Sequence, residues 1–169
     1  MRLAYAMIPV VLLCMAAPAT AQTAGCLLVP DDRNPPEQIL RCKGGLEAHI
    51  AAGTAHSERE NQGRPAEIEL GFGALLLKLT SKDRQRNFQI RTPHAIAAVR
   101  GTRWAMQVEF GRTSCLVLSG TVRVYREGDS RGVLVHRGEG VDVAFGSEPL
   151  TVKRWSSERV GALMARFGR

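Results

Sequence analysis

Apolar residues recur at every second position through much of the chain. Phe88 and Ile90, then Trp104, Met106 and Val108, alternate with polar neighbours, the pattern of a strand with one buried face. Glycine punctuates this alternation. Ile68 and Leu70 lead into Gly71-Phe72-Gly73 and on to Leu75, Leu77 and Leu79. Leu116 and Leu118 lead through Gly120 to Val122 and Val124, and Val133 and Val135 lead through Gly138-Glu139-Gly140 to Val141 and Val143. Short strands at such spacing predict an all-β domain. A repeated strand-glycine-strand unit also fits a stack of coils, none of which buries its face alone. The predicted architecture is therefore a short-strand β-solenoid or β-roll, with a β-sandwich as the alternative.

Only the C-terminus carries a helical period. Val160, Leu163, Met164 and Phe167 fall at i, i+3, i+4 and i+7, with Ser156 placed to cap the start, Glu158 in the first turn and Gly168 placed to end it. About 12 residues do not hold a helix alone. The stripe needs a surface, either the domain's own core or a partner.

The first 21 residues stand apart. Arg2, an apolar run from Leu3 to Ala17 and the small residues Ala19-Thr20-Ala21 predict a secretory signal cleaved after Ala21. Competing readings are an uncleaved anchor, for which the run is short, and a lipoprotein modified at Cys26. The remaining chain divides into residues 22–65, an N-terminal hairpin region with a polar loop from Gly53 to Pro65; residues 66–155, the β-domain; and residues 156–169, the helix. No later apolar run reaches membrane-spanning length, so no membrane span is expected after cleavage. The formal charge of +7 falls by one when Arg2 leaves. In an exported protein that balance favours anionic surfaces over nucleic acid.

Export also bears on the cysteines. Cys14 leaves with the signal, and Cys26, Cys42 and Cys115 remain. Asp31-Asp32-Arg33-Asn34-Pro35-Pro36 is a strong turn cluster between Cys26 and Cys42, so a hairpin there would join them as a disulfide. Cys115, in the strand-like run Cys115-Leu116-Val117-Leu118, reads as a buried apolar side chain, with a reactive thiol as the alternative.

No metal, nucleophile or phosphate motif is present, and His49, His56, His94 and His136 lack tight ligand spacing. The sequence thus predicts neither an enzyme nor a cofactor. His94 follows Pro93 and reads as a turn-lining side chain or a pH-sensitive group. Trp104 shares the phase of Met106 and Val108 and is a core candidate. Trp155 would cover a sheet edge or mark a contact surface.

The most informative segment runs from Phe88 to Trp104. It contains Thr92-Pro93, the small apolar run Ala95 to Val99, the turn Arg100-Gly101-Thr102, and then Trp104 on an alternating strand. This order resembles the central signature of the FecR family of bacterial periplasmic regulatory domains. The resemblance implies an all-β, repetitive fold and signalling in place of catalysis. It also implies a partner, another envelope protein such as a membrane-bound sensor or an outer-membrane transporter. The best-known members carry an anti-sigma region and a membrane helix before this domain, where this chain has a predicted cleavable signal. The expected function is that of a periplasmic, non-catalytic module that binds an envelope protein; the alternative is a polysaccharide- or peptidoglycan-binding module. Thr92, Pro93, Arg100, Gly101, Thr102 and Trp104 carry the motif, and the Arg100-Thr102 turn is either structural or a partner contact.

Overall fold

Residues 26–32, 34–61, 64–80, 88–99, 101–129 and 131–169 are described by a computed structural model. The predicted cleavage site after Ala21 lies outside the described residues, as does Arg100. The alternating stretches form strands β1 (Cys26–Asp31), β2 (Glu37–Cys42), β3 (Leu46–Ala51), β4 (Ala55–Asn61), β5 (Arg64–Leu79), β6 (Phe88–Arg91) and β7 (Ile96–Val99). They continue as β8 (Arg103–Glu109), β9 (Arg112–Ser119), β10 (Thr121–Tyr125), β11 (Val133–His136), β12 (Glu139–Ala144) and β13 (Val152–Arg154), followed by helix α1 (Ser157–Ala165).

β5 organises the molecule. It runs for 16 residues and belongs to two sheets. Its first half pairs with β4 and, in parallel, with β6; its second half pairs with β3 and β8. The first sheet has the order β1-β2-β3-β5-β8-β9-β12-β13, the second β4-β5-β6-β7-β10-β11. Their inner faces meet in one core containing Leu40, Ile68, Leu75, Leu77, Ile90, Trp104, Met106, Val117 and Val124. The result is an all-β, nearly closed, barrel-like body with a short C-terminal helix.

This differs from the expected solenoid. Coils of a solenoid stack in parallel, whereas every ladder among the described residues except β5–β6 is antiparallel. The physical reason lies in the glycines. Gly73 sits where β5 passes between sheets, Gly120 where β9 leads into β10, and Gly138 where β11 leads into β12. All three have positive φ, 95°, 82° and 81°. They mark corners where the chain changes sheet, and a corner and a coil turn look alike in sequence. At Gly73 a Cβ would lie 2.6 Å from the Thr54 Cα, so this corner also needs glycine for close approach.

The polar stretch expected as a loop is a second correction. Residues 55–61 form β4, which makes a hairpin with β5. Its alternation escapes notice because His56, Ser57, Glu58 and Arg59 are polar on both faces, while the ladder pairs them with Leu70, Glu69, Ile68 and Glu67. The expected boundary between residues 65 and 66 therefore falls inside a strand. β2 and β3 also join the same sheet as β5, through pairs such as Leu46↔Leu79.

The helix lies against the outer face of the first sheet. Ala51, Ala74, Leu76, Ala105 and Leu116 form an apolar patch there, covered by Trp155, Leu163 and Phe167. Val160 and Met164 pack at its margin. Ser156 caps the helix, its side chain accepting from the Arg159 N–H at 3.3 Å. Arg159 lies over the Trp155 ring at 3.7 Å and pairs with Asp142 on β12.

Candidate functional site

The motif from Thr92 to Trp104 spans the β6–β7 hairpin and the corner that follows, so its two polar turns lie at opposite ends of one hairpin. The turn at Thr92 is tightly built. The Thr92 hydroxyl donates to the Ala95 carbonyl at 2.9 Å, accepts from the Ala95 N–H at 2.9 Å, and lies 2.9 Å from the Thr113 Oγ1. With its own proton given to Ala95, Thr92 accepts from Thr113. The Thr113 oxygen is then an acceptor for the His94 Nδ1–H at 3.0 Å. His94 is thereby set as the Nδ1–H tautomer. Its buried Nε2 has no hydrogen-bond partner among the described residues, and burial holds its pKa below the usual histidine value.

At the other end, Gly101 takes φ 56°. Thr102 is 2% exposed, its hydroxyl donating to the Thr121 carbonyl and its own carbonyl accepting from the Leu79 N–H. This corner thus ties β5, β8 and β10 together. Trp104 is fully buried and packs edge-on against Phe88, with ring centroids 6.3 Å apart. Cys26 and Cys42 form a disulfide across the β1–β2 ladder. Cys115 is free and buried, and burial pushes its thiol up to about 12, so it carries no nucleophilic thiolate at neutral pH. Among the described residues no group of His, Cys, Asp and Glu is placed to hold a metal ion.

The Thr92 end of the barrel carries a feature the sequence reading overlooked. Phe72, Phe110 and Phe145 are 43%, 98% and 74% exposed. Phe72 lies at the β5 bend, Phe110 at the tip of the β8–β9 hairpin, and Phe145 just past β12. The ladder places these points together, because Gly73 pairs with Val108, Glu109 with Arg112, and Arg112 with Ala144. Phe72 and Phe110 have centroids 6.0 Å apart, and Phe145 packs edge-on against His94 at 4.3 Å. Exposed Pro93 caps the same turn. Exposed aromatic side chains gathered at one place are uncommon on a protein without a partner. A legible signal existed: each phenylalanine adjoins a glycine, as Gly71-Phe72-Gly73, Phe110-Gly111 and Phe145-Gly146. A large aromatic at a turn has no core to enter.

The other predicted positions behave as core or support. Trp155 is 9% exposed and lies on the sheet, not on an accessible surface. Leu163 and Phe167 are buried in the contact with the chain's own sheet, which occupies the stripe that also suggested a partner helix.

The family model described as FecR protein matches residues 38–123, just over half of the chain. The match begins in β2, which agrees with β2 and β3 lying in the shared sheet. No curated protein matches the chain. Two crystal structures described as a putative anti-sigma factor from Parabacteroides distasonis are similar in fold. The first, at 1.65 Å, has a TM-score of 0.62 and 20% identity over 76% of this chain; the second, at 2.50 Å, has 0.63 and 19% over 82%. This chain spans 60% and 65% of the length of those two proteins. The motif, the two-sheet architecture and the span of the match agree, and the chain belongs to the FecR family.

Proposed function

We propose that this chain is an exported, non-catalytic regulatory module that works in the cell envelope by binding another envelope protein. The observation that carries the reading is the aromatic end, where Phe72, Phe110 and Phe145 stand exposed above the buried Thr92-His94-Thr113 network. That network holds the turn rigid, and a rigid apolar surface loses little entropy when it binds. Membership of a regulatory family supports signalling over catalysis, and the anti-sigma description of the two structural relatives points the same way. The partner class by chemistry is a protein with an apolar groove, not a glycan. Sugar platforms use accessible tryptophan or tyrosine, whereas Trp104 is fully buried and Trp155 is 9% exposed.

The test is site-specific photocrosslinking in the native cell. A photoreactive residue at Phe110 should give one discrete adduct with an envelope protein, and the same residue at exposed Leu134, on β11, should not. Phe72→Ser combined with Phe145→Ser should abolish the adduct without changing the melting temperature. Recovery of the protein in the cytoplasm, or equal adducts from both positions, would refute the proposal.

A further inference from the structure

A second surface lies on the outer face of the first sheet, beside the C-terminal end of the helix. The ladder sets Arg41 opposite Glu47, Glu47 opposite Lys78, and Lys78 opposite Arg103, so these four side chains form one row across β2, β3, β5 and β8. Leu77 and Trp104, their neighbours in the chain, face the core, so Lys78 and Arg103 point outward. The row lines a cavity of about 340 Å³ together with Leu76, His49 and Arg169.

The charges in this cavity do not balance. Lys78 and Arg103 are like charges directly opposite one another, an arrangement that destabilises a sheet unless something offsets it. Glu47 is already shared, lying 3.6 Å from the Arg41 guanidinium and 3.1 Å from the His49 Nε2. Burial works to raise the Glu47 pKa, but the His49 hydrogen bond and the Lys78 and Arg41 charges hold it below its usual value. Arg169 is turned toward His49 and the buried Glu37 carboxylate, at 3.2 and 3.5 Å. Arg103 makes no ion pair among the described residues. Four cationic side chains, Arg41, Lys78, Arg103 and Arg169, line the cavity, and Glu47 is the one carboxylate side chain among its lining residues.

We infer that this cavity is a binding site for a phosphate monoester, with Arg103 and Lys78 as its principal anion ligands and Arg41 and Arg169 as flanking charges. A phosphate monoester carries about −1.5 to −2 at neutral pH and would offset the opposed Lys78 and Arg103 charges. Its oxygens suit the fork of an arginine and the point charge of a lysine. The cavity falls within the ordinary size of a small-ligand site. The site lies on the outer sheet face and uses none of the aromatic residues, so it is independent of the proposed protein contact.

The experiment uses the whole secreted chain at low ionic strength. Titration calorimetry with glucose 1-phosphate tests a soluble monoester. Co-sedimentation with phosphatidylcholine vesicles, with and without phosphatidic acid, tests the same group on a lipid. Saturable binding of glucose 1-phosphate is expected, weakened at least about tenfold by Arg103→Gln and by Lys78→Gln. Arg103→Gln should melt no lower than the parent, because it removes a like-charge repulsion, whereas Lys78→Gln also loses its attraction to Glu47. Binding confined to phosphatidic acid vesicles, and lost in Arg103→Gln, supports the site and identifies a lipid headgroup as the source. Absence of binding to both probes, or binding that both variants retain in full, overturns the inference.

Discussion

Phe167→Ala tests whether the helix is part of the fold or only rests on it. Phe167 is fully buried against the outer face of the first sheet, two residues beyond the end of α1. It reaches the same patch as Leu163 and Trp155. Truncating a phenylalanine in such a site removes its transfer free energy and leaves a cavity, at a cost of about 3–5 kcal/mol. A nine-residue helix has no independent stability to fall back on. Loss of this anchor should therefore release the helix and expose Leu76, Ala105 and Leu116 to water. For a domain of this size each kcal/mol is worth about 2–4 °C, so melting should fall by at least about 6 °C. Circular dichroism would read the melt, and hydrogen exchange would read the amides that bond back to Ser156, Leu163 and Met164. Half-buried Met164→Ala is the control and should cost far less. A fall under about 2 °C with those amides still protected would refute the reasoning.

Three further outcomes are expected. Cys42→Ser should free Cys26 and cost about 3 kcal/mol in denaturant melts, while peptide mapping of the parent should find Cys115 unpaired and alkylated only after unfolding. Thr92→Val keeps the shape but removes the hydroxyl shared by Ala95 and Thr113, so chemical denaturation should show a loss of about 1–3 kcal/mol. Burial works to raise the Asp142 pKa, but hydrogen bonds from Arg159 and Ser114 hold it below its usual value. A depressed folded pKa gives stability that is present above the unfolded value, near 3.9, and is lost as pH falls through the folded value. Asp142→Asn should therefore be less stable than the parent at neutral pH and show a flatter acid limb; superimposable stability curves would contradict the assignment.

The strands of the core, the helix and its cap were legible because each rests on local period and capping chemistry. Trp104 was legible as core because it shares the phase of Met106 and Val108. Topology was not, because Gly73, Gly120 and Gly138 fit a coil turn as well as a change of sheet, and the difference is long-range pairing. β4 was hidden because its polar residues pair with a strand whose own apolar phase supplies the core. The cation row was hidden for a related reason. Arg41, Glu47, Lys78 and Arg103 are scattered over 63 positions of sequence and adjacent only through three ladders.

The sharing of β5 between the sheets has a consequence for how the domain transmits force. Its first half pairs with β6 of the Thr92 hairpin and its second half lies between β3 and β8. Pulling on either sheet loads the same strand, which couples the opening of one sheet to the other. Under the proposed contact, a partner gripping the aromatic end would load both sheets at once. On that proposal, a message would be carried as a joint displacement of the two sheets.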